Sequence, residues 1–456
     1  MNTLQFALQP FLYKTLIENN KPAFIGIFAA QSLFMETQKR IIIVGAGFAG
    51  LRIAQDLEDT DYDVLLIDKN NYHQFQPLMY QVATARLEPA SISFPLRKVF
   101  QHSKNVRIRI ADVLSVDTPN KILKTSTADY TYDHLVIAFG CTTNYFGNSQ
   151  VEKFAFPMKS VPEAIQLRNR ILQTFEDVLT AKPEDIQSLL NFVIVGGGPT
   201  GVELAGALSE MKKNILPKDY PDKDFSKLNI YLLEGSPNVL NPMSEDSRKV
   251  SRKYLEELGV IVKTSTIVSD YDGAMVTLQS QETILSKNVI WAAGITGNTI
   301  KGIPAESITR GNRFIVDRFN KIENLDGVYA LGDIAFMATP KYPNGQPQVA
   351  SVAIEQAQIL AKNFKLQLKK AAQIEFEYHD KGSMATIGKR KAVVDLPKFS
   401  FQGRLAWFTW MFVHLMLILS VKNKLLIFTN WVYSYFNNDS TLRVLLKPAA
   451  NKVEVK

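Results

Sequence analysis

The sequence predicts an α/β fold with two Rossmann-like dinucleotide-binding domains, one inserted in the other, followed by amphipathic helices near the C-terminal end. Three observations predict this fold. A glycine-rich turn at residues 45–50 lies between an apolar strand pattern and a helical pattern, and the same arrangement returns at residues 196–201. An aromatic, apolar stretch bracketed by basic residues occupies residues 404–436. A glycine turn between a strand and a helix is typical of a dinucleotide-binding unit.

The composition is that of an ordinary globular protein, with 46% hydrophobic and 21% charged residues in 456. This length is enough for two or three domains. The net charge of +8 indicates an anionic partner, either nucleic acid or a membrane surface. No zinc-knuckle, RRM or helix-turn-helix pattern is present, so we expect the membrane surface and no nucleic acid. The single cysteine, Cys141, excludes an intramolecular disulfide and a cysteine-rich metal site, and we expect no metal.

The first glycine turn lies in "RIIIVGAGFAGLRIAQDL". Gly45 permits the tight turn, Gly47 lets the backbone approach a pyrophosphate, and Gly50 lets the helix pack close to the strand. The N-terminus of that helix presents free N–H groups to the phosphates. A second strand pattern ends in Asp68, which is placed to accept hydrogen bonds from a ribose hydroxyl. Strand, glycines, helix and acid together predict a bound dinucleotide.

The second turn lies in "NFVIVGGGPTGVELAGAL" and contains Gly196, Gly198 and Gly201. Its second strand pattern ends in Glu234, after an apparent insertion at residues 212–228. A carboxylate at this position repels a 2′-phosphate, and no Arg directly follows it, so the pattern favours NADH over NADPH. Two such units predict two dinucleotides, and the usual pair is FAD held permanently and a visiting nicotinamide dinucleotide.

Three further positions suit that pair of cofactors. Two strand patterns close on Gly140 and Gly294, where a cofactor would pass beside the backbone. Asp333 follows another strand pattern and is suited to binding a ribityl hydroxyl of a flavin. No attachment site is evident, so we expect the FAD to be non-covalent.

The predicted domains follow from these motifs. Residues 1–38 form an N-terminal extension, and Met35 would suit a natural start; a poor signal peptide is the alternative. A discontinuous FAD-binding domain covers residues 39–155 and 295–400, with the NADH-binding domain inserted at residues 156–294. Residues 401–445 form the membrane-associating helices.

The C-terminal stretch has three interpretations. It could be a core or dimer contact, a transmembrane span, or a pair of helices lying on a bilayer. Its first apolar run is shorter than the roughly 20 residues that a span needs. Aromatic residues suited to a lipid headgroup boundary, with Arg404, Lys422 and Lys424 beside the apolar runs, favour the interfacial interpretation. The aromatic residues are Trp407, Trp410, Trp431 and Tyr433.

From about Lys39 to Phe436 the sequence resembles the two-dinucleotide-binding-domain flavoproteins and, within them, the type II NADH:quinone oxidoreductases. The stretches that carry this resemblance are "NNYHQFQPLMYQVATARLEPASISFPLR", "GGGPTGVELAGALSE", "VYALGDIA", "KGSMATIGKRKAVVD" and "AWFTWMFVHLMLILSVKNKL". The glycine motifs fit the whole superfamily, whereas the first, fourth and fifth stretches look like this family in particular.

The resemblance implies an enzyme that passes a hydride from NADH to FAD and then two electrons to a membrane quinone, without pumping protons. It implies a peripheral position on the cytoplasmic face of the inner membrane, with a homodimer as an open alternative. Glu203 would lie near the meeting point of nicotinamide and flavin. The residues implied to bind FAD are Gly45, Gly47, Phe48, Gly50, Asp68, Pro77, Leu78, Val113, Gly140, Gly332, Asp333 and Ala350. Those implied to bind NADH are Gly196, Gly198, Thr200, Gly201, Glu234 and Gly294.

One segment departs from the family pattern. The family carries a motif close to Ala-Gln-x-Ala-x-Gln beside the quinone, and the matching segment here is "ASVAIEQ". Ser351 replaces the first Gln, Glu355 replaces the second, and Gln356 follows one position later. Either Glu355 faces the quinone as a proton donor, or the helix register shifts and Gln356 takes that place. The candidate catalytic residues are therefore Glu203, Gln356 and Glu355.

Other flavoprotein functions require residues or features that can be checked in the sequence. A disulfide reductase and a sulfide:quinone oxidoreductase need further cysteines, and Cys141 is alone. A ferredoxin or rubredoxin reductase does not explain the C-terminal stretch. A membrane-associated flavin redox sensor or binding module stays open because of the altered segment.

Overall fold

The computed structural model describes residues 38–440 and 442–446. The predicted N-terminal extension, apart from residue 38, lies outside the described residues. Two five-stranded parallel sheets organise the chain, each covered by helices. Their central strands are buried on both faces, as expected for parallel sheets, and read as near-continuous runs of Ile and Val.

The first sheet holds the first glycine turn at the end of its central strand. Arg40 of that strand pairs with Asp63 on one side, and Ile41 pairs with His134 on the other. In spatial order the strands are Val328–Ala330, His134–Ile137, Arg40–Val44, Asp63–Asp68 and Val106–Ile110. The sheet therefore takes strands from both predicted segments of the FAD-binding domain.

The second sheet repeats this order around the second glycine turn. Its central strand pairs Asn191 with Asn229, and Phe192 with Asn288. The strands are Phe156–Pro157, Asn288–Trp291, Asn191–Val195, Asn229–Leu233 and Val260–Lys263. All of them lie within the predicted NADH-binding segment, although the exact domain boundaries stay a prediction.

Short antiparallel strands complete the two halves. One pair, Cys141–Thr143 with Ile295–Gly297, lies where the chain leaves the first half and returns to it. Two three-stranded meanders are formed by Val113–Asp117, Ile122–Thr125 and Asp129–Thr131, and by Val268–Tyr271, Met275–Leu278 and Thr283–Leu285. Two-stranded pairs are Tyr72–Gln74 with Ser93–Pro95 and Phe314–Ile315 with Ala335–Phe336.

Helices cover both sheets. Helix Phe48–Asp56 follows the first turn and packs on helix Ala350–Leu368, while helix Pro199–Asn214 follows the second turn. The 20-residue helix Val161–Thr180 begins with a capping box between Ser160 and Glu163. The remaining α-helices that the structure describes before the C-terminal stretch are Met79–Ala83, Leu96–Val99, Ser149–Phe154, Pro183–Leu190, Leu216–Asp219 and Glu245–Glu257.

The C-terminal stretch forms two helices, which we call the first tail helix (Arg404–Leu417) and the second tail helix (Val421–Asn437). The first packs on an antiparallel sheet of Ser383–Gly388, Lys391–Asp395 and Ser400–Gln402. Within the described ranges, no helix combines the length and apolar character that crossing a membrane requires.

Each tail helix has one buried face and one exposed face. Trp410, Ile427 and Trp431 belong to the main hydrophobic core, and Trp431 Nε1 donates a hydrogen bond to Gln81 Oε1 at 2.8 Å. The prediction that Trp410 and Trp431 sit at a lipid headgroup boundary is therefore wrong, because both rings pack inside the protein. The exposed face carries apolar residues at helical spacing: Leu405, Phe408, Phe412, Met416, Val421, Leu425, Phe428, Val432 and Phe436.

Candidate functional site

The first glycine turn has the geometry that a phosphate-binding turn requires. Gly45 has a φ of +97°, and a Cβ there would lie 2.6 Å from the carbonyl oxygen of Ala138. A Cβ on Gly50 would lie 1.7 Å from the carbonyl oxygen of Gly45, so the helix packs directly on the turn. Gly47 is different, because the nearest atom to its added Cβ is 4.0 Å away. The open side of Gly47 is where a pyrophosphate would approach the backbone.

Asp68, the acid of the first dinucleotide-binding unit, stabilises the backbone of the first turn. The Asp68 carboxylate accepts hydrogen bonds from the backbone N–H groups of Ala46, at 2.6 Å, and Asn70, at 2.7 Å. Burial raises the pKa of Asp68, and these two hydrogen bonds act to lower it. His73 supports the same turn, since its Nδ1 lies 2.8 Å from the carbonyl oxygen of Ala46.

The second turn repeats this geometry. Gly196 has a φ of +112°, and its added Cβ would lie 2.6 Å from the carbonyl oxygen of Ala292. A Cβ on Gly201 would lie 1.9 Å from the carbonyl oxygen of Gly196, whereas Gly198 faces open space. The Glu234 carboxylate accepts a hydrogen bond from the backbone N–H of Ser236 at 2.7 Å and another from Gly197. Both turns are thus built alike.

A long cleft begins at the first turn and runs between the two halves of the molecule. Its volume of about 670 Å³ lies within the range of ligand-binding clefts in proteins. The predicted residues that line the cleft are Gly45, Gly47, Phe48, Asp68, Pro77, Val113, Gly140, Thr200, Glu203, Gly332, Asp333 and Ala350.

Other predicted residues do not line this cleft. Gly50 lies beneath the turn, and Leu78 is fully buried in the core rather than exposed to a flavin ring. The remaining predicted residues follow the carboxyl ends of three adjacent strands of the second sheet, where a visiting dinucleotide would bind: Gly196, Gly198, Gly201, Glu234 and Gly294. Direct contact between Leu78 and a flavin is not favoured by this placement.

The groups that line the cleft suit the phosphates and the ribityl chain of FAD. The helix that begins at Phe48 has no side-chain cap, so its first N–H groups are free for phosphate. The Asp333 carboxylate lines the cleft, and no hydrogen bond to it comes from residues 38–440 or 442–446. Burial raises the pKa of Asp333, with Lys159 and Arg313 acting to lower it. The free N–H groups of the helix would hold the phosphates of FAD, and Asp333 would hold its ribityl chain.

Glu203 lies where the cleft meets a second cavity. Together with Tyr80 it lines both spaces, and the second cavity is enclosed by the helix Pro199–Asn214, the hairpin at residues 388–389 and the two tail helices. Burial raises the pKa of Glu203 to about 8, while the Thr386 N–H and the Trp410 indole act to lower it. A carboxyl with such a pKa can hold or release a proton near neutral pH.

The altered segment does not place either candidate in the cleft. Gln356 is fully buried, and its Oε1 accepts a hydrogen bond from the Gly332 N–H at 2.7 Å, so it positions the residue before Asp333. Glu355 forms an ion pair with Lys381 at 2.6 Å. Ser351 and Tyr378 share a hydrogen bond of 2.9 Å. The predicted contact with quinone stays untested for both candidates, and this geometry does not favour it.

Sequence reasoning missed two cleft residues. Cys141 lines the cleft, and burial raises the pKa of its thiol to about 12. His414 of the first tail helix also lines it, with Nδ1 2.8 Å from the Trp410 carbonyl oxygen. Burial lowers the pKa of His414 to about 4, so its ring is neutral at pH 7. From the sequence, a lone His in an apolar run favours a structural role for His414, and only folding brings it to the cleft.

Comparison with known proteins agrees with this geometry. The family model for pyridine nucleotide-disulphide oxidoreductases matches residues 39–357, and the model for the NDH2 C-terminal domain matches residues 380–438. A type II NADH:quinone oxidoreductase of Mycobacterium tuberculosis is 32% identical over 418 residues, which cover 87% of this chain and 88% of that protein. A second from the same organism is 33% identical over 415 residues, covering 87% of each.

The chain belongs to the type II NADH:quinone oxidoreductase family.

Solved structures agree with the fold. NDH2 from Plasmodium falciparum in complex with NADH has a TM-score of 0.83 at 22% identity, and the match covers 90% of this chain and 100% of that one. The sulfide:quinone oxidoreductase of Aquifex aeolicus has a TM-score of 0.69 at 16% identity, covering 87% and 95%. The predicted fold is confirmed. At the level of the family, the FAD-dependent oxidation of NADH with quinone as acceptor is confirmed too.

Proposed function

We propose that this type II NADH:quinone oxidoreductase binds NADH at the second glycine turn, holds FAD in the long cleft, and reduces quinone where the cleft reaches the tail helices. The observation that carries this proposal is the pair of matching turns, together with the cleft that begins at the first turn and is also lined by Thr200 of the second turn and by the buried Glu203. When bound, FAD supplies the chemistry that accepts a hydride and hands on two electrons.

The residues of the chain have separate roles in this proposal. Glu234 would accept hydrogen bonds from the adenine ribose of NADH, and its charge would exclude the 2′-phosphate of NADPH. Asp68 and Asp333 would hold the two ends of FAD. Quinone takes up two electrons and two protons, and Glu203 would exchange a proton beside it because its pKa lies near neutral pH.

The tail helices are proposed to rest on the membrane. Their exposed stripes have no partner among the described residues, and Arg404 and Lys422 lie exposed beside them. Such a face, with basic residues next to it, suits an anionic bilayer surface. We propose that the enzyme rests on the cytoplasmic face of the inner membrane. A homodimer through the same stripes is the alternative arrangement.

A steady-state assay tests the proposal. Purified, yellow protein should oxidise NADH in the presence of a short-chain quinone, should do so poorly with NADPH, and should not reduce a small disulfide. Flavin reduction by NADH without any quinone turnover would contradict the proposed acceptor and would support the sensor or binding-module alternative.

A further inference from the structure

The two glycine turns correspond residue by residue, and this correspondence extends to the strand beside each turn. Ala138 lies against Gly45, and Ala292 lies against Gly196 in the same way. Two residues after each alanine comes a glycine with a left-handed backbone, Gly140 at φ +66° and Gly294 at φ +73°. Gly140 lines the cofactor cleft. Gly294 therefore occupies the matching position at the second dinucleotide site.

The two glycines differ in what lies over them. Nothing is within 4 Å of a Cβ added to Gly140. A Cβ added to Gly294 would lie 2.7 Å from Cζ of Phe146. The aromatic ring thus rests directly on the glycine at the second site, while the first site is open at the same place.

Phe146 is held there by its backbone rather than by packing. Its side chain is 68% exposed, and its φ of +54° lies in the left-handed region, which is uncommon for a residue other than glycine. Its N–H donates to Asn144 Oδ1 at 2.8 Å, and the Asn144 carbonyl oxygen accepts a hydrogen bond of 2.8 Å from Trp291 Nε1. The ring meets Trp291 edge-on, with centroids 6.5 Å apart. A left-handed backbone that presents a large apolar ring to solvent suits contact with a ligand.

The position of the ring indicates which half of NADH it would contact. Glu234 follows the strand on one side of the central strand, and Gly294 follows the strand on the other side. If Glu234 binds the adenine ribose, the nicotinamide half extends toward Gly294. The next residue, Ile295, lines the cofactor cleft, where the nicotinamide must arrive to react.

We propose that Phe146 is a positioning residue that packs on the nicotinamide half of NADH at the second site. This inference rests on the proposed function, because it assumes that NADH binds at the second turn. The asymmetry between the sites fits their tasks: a cofactor that stays needs no movable cover, whereas a dinucleotide that enters and leaves gains from a ring that can turn onto it.

Kinetics of two variants provide the first test. Phe146→Ala should raise the KM for NADH and the Kd for NAD⁺ by about tenfold, the loss expected from one aromatic stacking contact. Phe146→Tyr should keep both constants close to those of the wild type. The KM for quinone and the FAD content should not change in either variant. Phe399→Ala is the matched control, since this phenylalanine is 61% exposed in the turn between strands Lys391–Asp395 and Ser400–Gln402.

Thiol labelling provides a readout that does not depend on turnover. The natural Cys141 is partly buried with a raised thiol pKa, so wild-type protein should react slowly with a maleimide at pH 7. A Phe146→Cys variant should react fast, and NAD⁺ at ten times its Kd should slow that reaction about tenfold by occupying the site. Phe399→Cys should react at the same rate with and without NAD⁺.

The outcomes separate this inference from the proposed function. Absence of NAD⁺ and NADH binding to wild-type protein would contradict the proposed function itself. Normal binding in Phe146→Ala, together with unprotected labelling of Phe146→Cys, would overturn the role of Phe146 and leave the proposed function intact. Protection of Phe146→Cys with tight binding only in the aromatic variants supports the inference.

Discussion

Glu203 is the residue at which the cofactor cleft and the second cavity, which the first tail helix helps to enclose, meet. Its carboxyl is buried, and the Thr386 N–H lies at 3.4 Å, a long hydrogen bond that compensates little of the cost of ionisation. Burial therefore keeps the group protonated well above the pH at which an exposed Glu ionises. Glu203 can therefore hold a proton near neutral pH beside the cofactor cleft.

This raised pKa has a signature in stability. The folded protein binds the Glu203 proton up to about pH 8, whereas the unfolded chain loses it near pH 4.5. Stability from this group is present at low pH and is lost as the pH rises through that window, at about 1.4 kcal/mol per pH unit. Relative to a Glu203→Gln variant, the wild type should lose about 3 kcal/mol of unfolding free energy between pH 5.5 and 7.5. Urea denaturation at both pH values measures the difference, and parallel behaviour of the two proteins would exclude the raised pKa.

Residue types at the turns could be predicted from the sequence, because each glycine there has a steric reason that spacing reveals. Gly45, Gly50 and Asp68 take the positions expected of them. The position of Phe146 over the second site could not be predicted, because the residue belongs to no motif and only folding brings its ring onto Gly294. The side-chain direction of Gln356 was equally hidden, because a shift of one residue on a helix turns a side chain by about 100°.

At the scale of elements, the tail helices do two things at once. Asn423 of the second tail helix donates hydrogen bonds to the carbonyl oxygens of Ala90, at 3.0 Å, and Ser91, at 2.9 Å, which fixes the helix to the FAD-binding half. The opposite face carries the exposed stripe. The sequence indicated an amphipathic stretch, but aromatic residues alone could not show which rings face the core. Removing the whole tail would therefore damage the core as well as the exposed stripe.

Substitutions on the exposed stripe test membrane attachment without touching the core. A Leu405→Ser, Phe412→Ser, Phe428→Ser variant should keep its FAD and its melting temperature and should bind anionic vesicles at least about tenfold more weakly, because each lost apolar side chain removes about 1.5–3 kcal/mol of burial. Vesicle sedimentation measures the partition.

A matched control replaces apolar residues of similar exposure outside the tail, Leu114, Ile267 and Leu285, with serine. This control should bind vesicles as the wild type does. Equal partition of the tail variant and the control would show that the stripe does not meet lipid, and a change of oligomeric state in the tail variant alone would favour the dimer arrangement.

At the scale of the whole molecule, the two parallel sheets have the same architecture. Their order and their turns agree, and the strand pair Cys141–Thr143 with Ile295–Gly297 joins the halves beside the cleft. The doubled motif made this architecture predictable. The way the two halves pack together was not predictable. The cleft and the second cavity beside the tail helices arise from long-range packing that local sequence patterns do not encode.

In the proposed function, electrons pass from NADH through FAD in the cleft to a quinone that is dissolved in lipid. The most direct measurement follows the visible flavin band of anaerobic, vesicle-bound protein. One equivalent of NADH per bound FAD should bleach the band, and vesicles that carry a long-chain quinone should then restore it at a rate matching steady-state turnover. A band that bleaches with NADH but stays bleached in the presence of quinone-loaded vesicles would contradict the account.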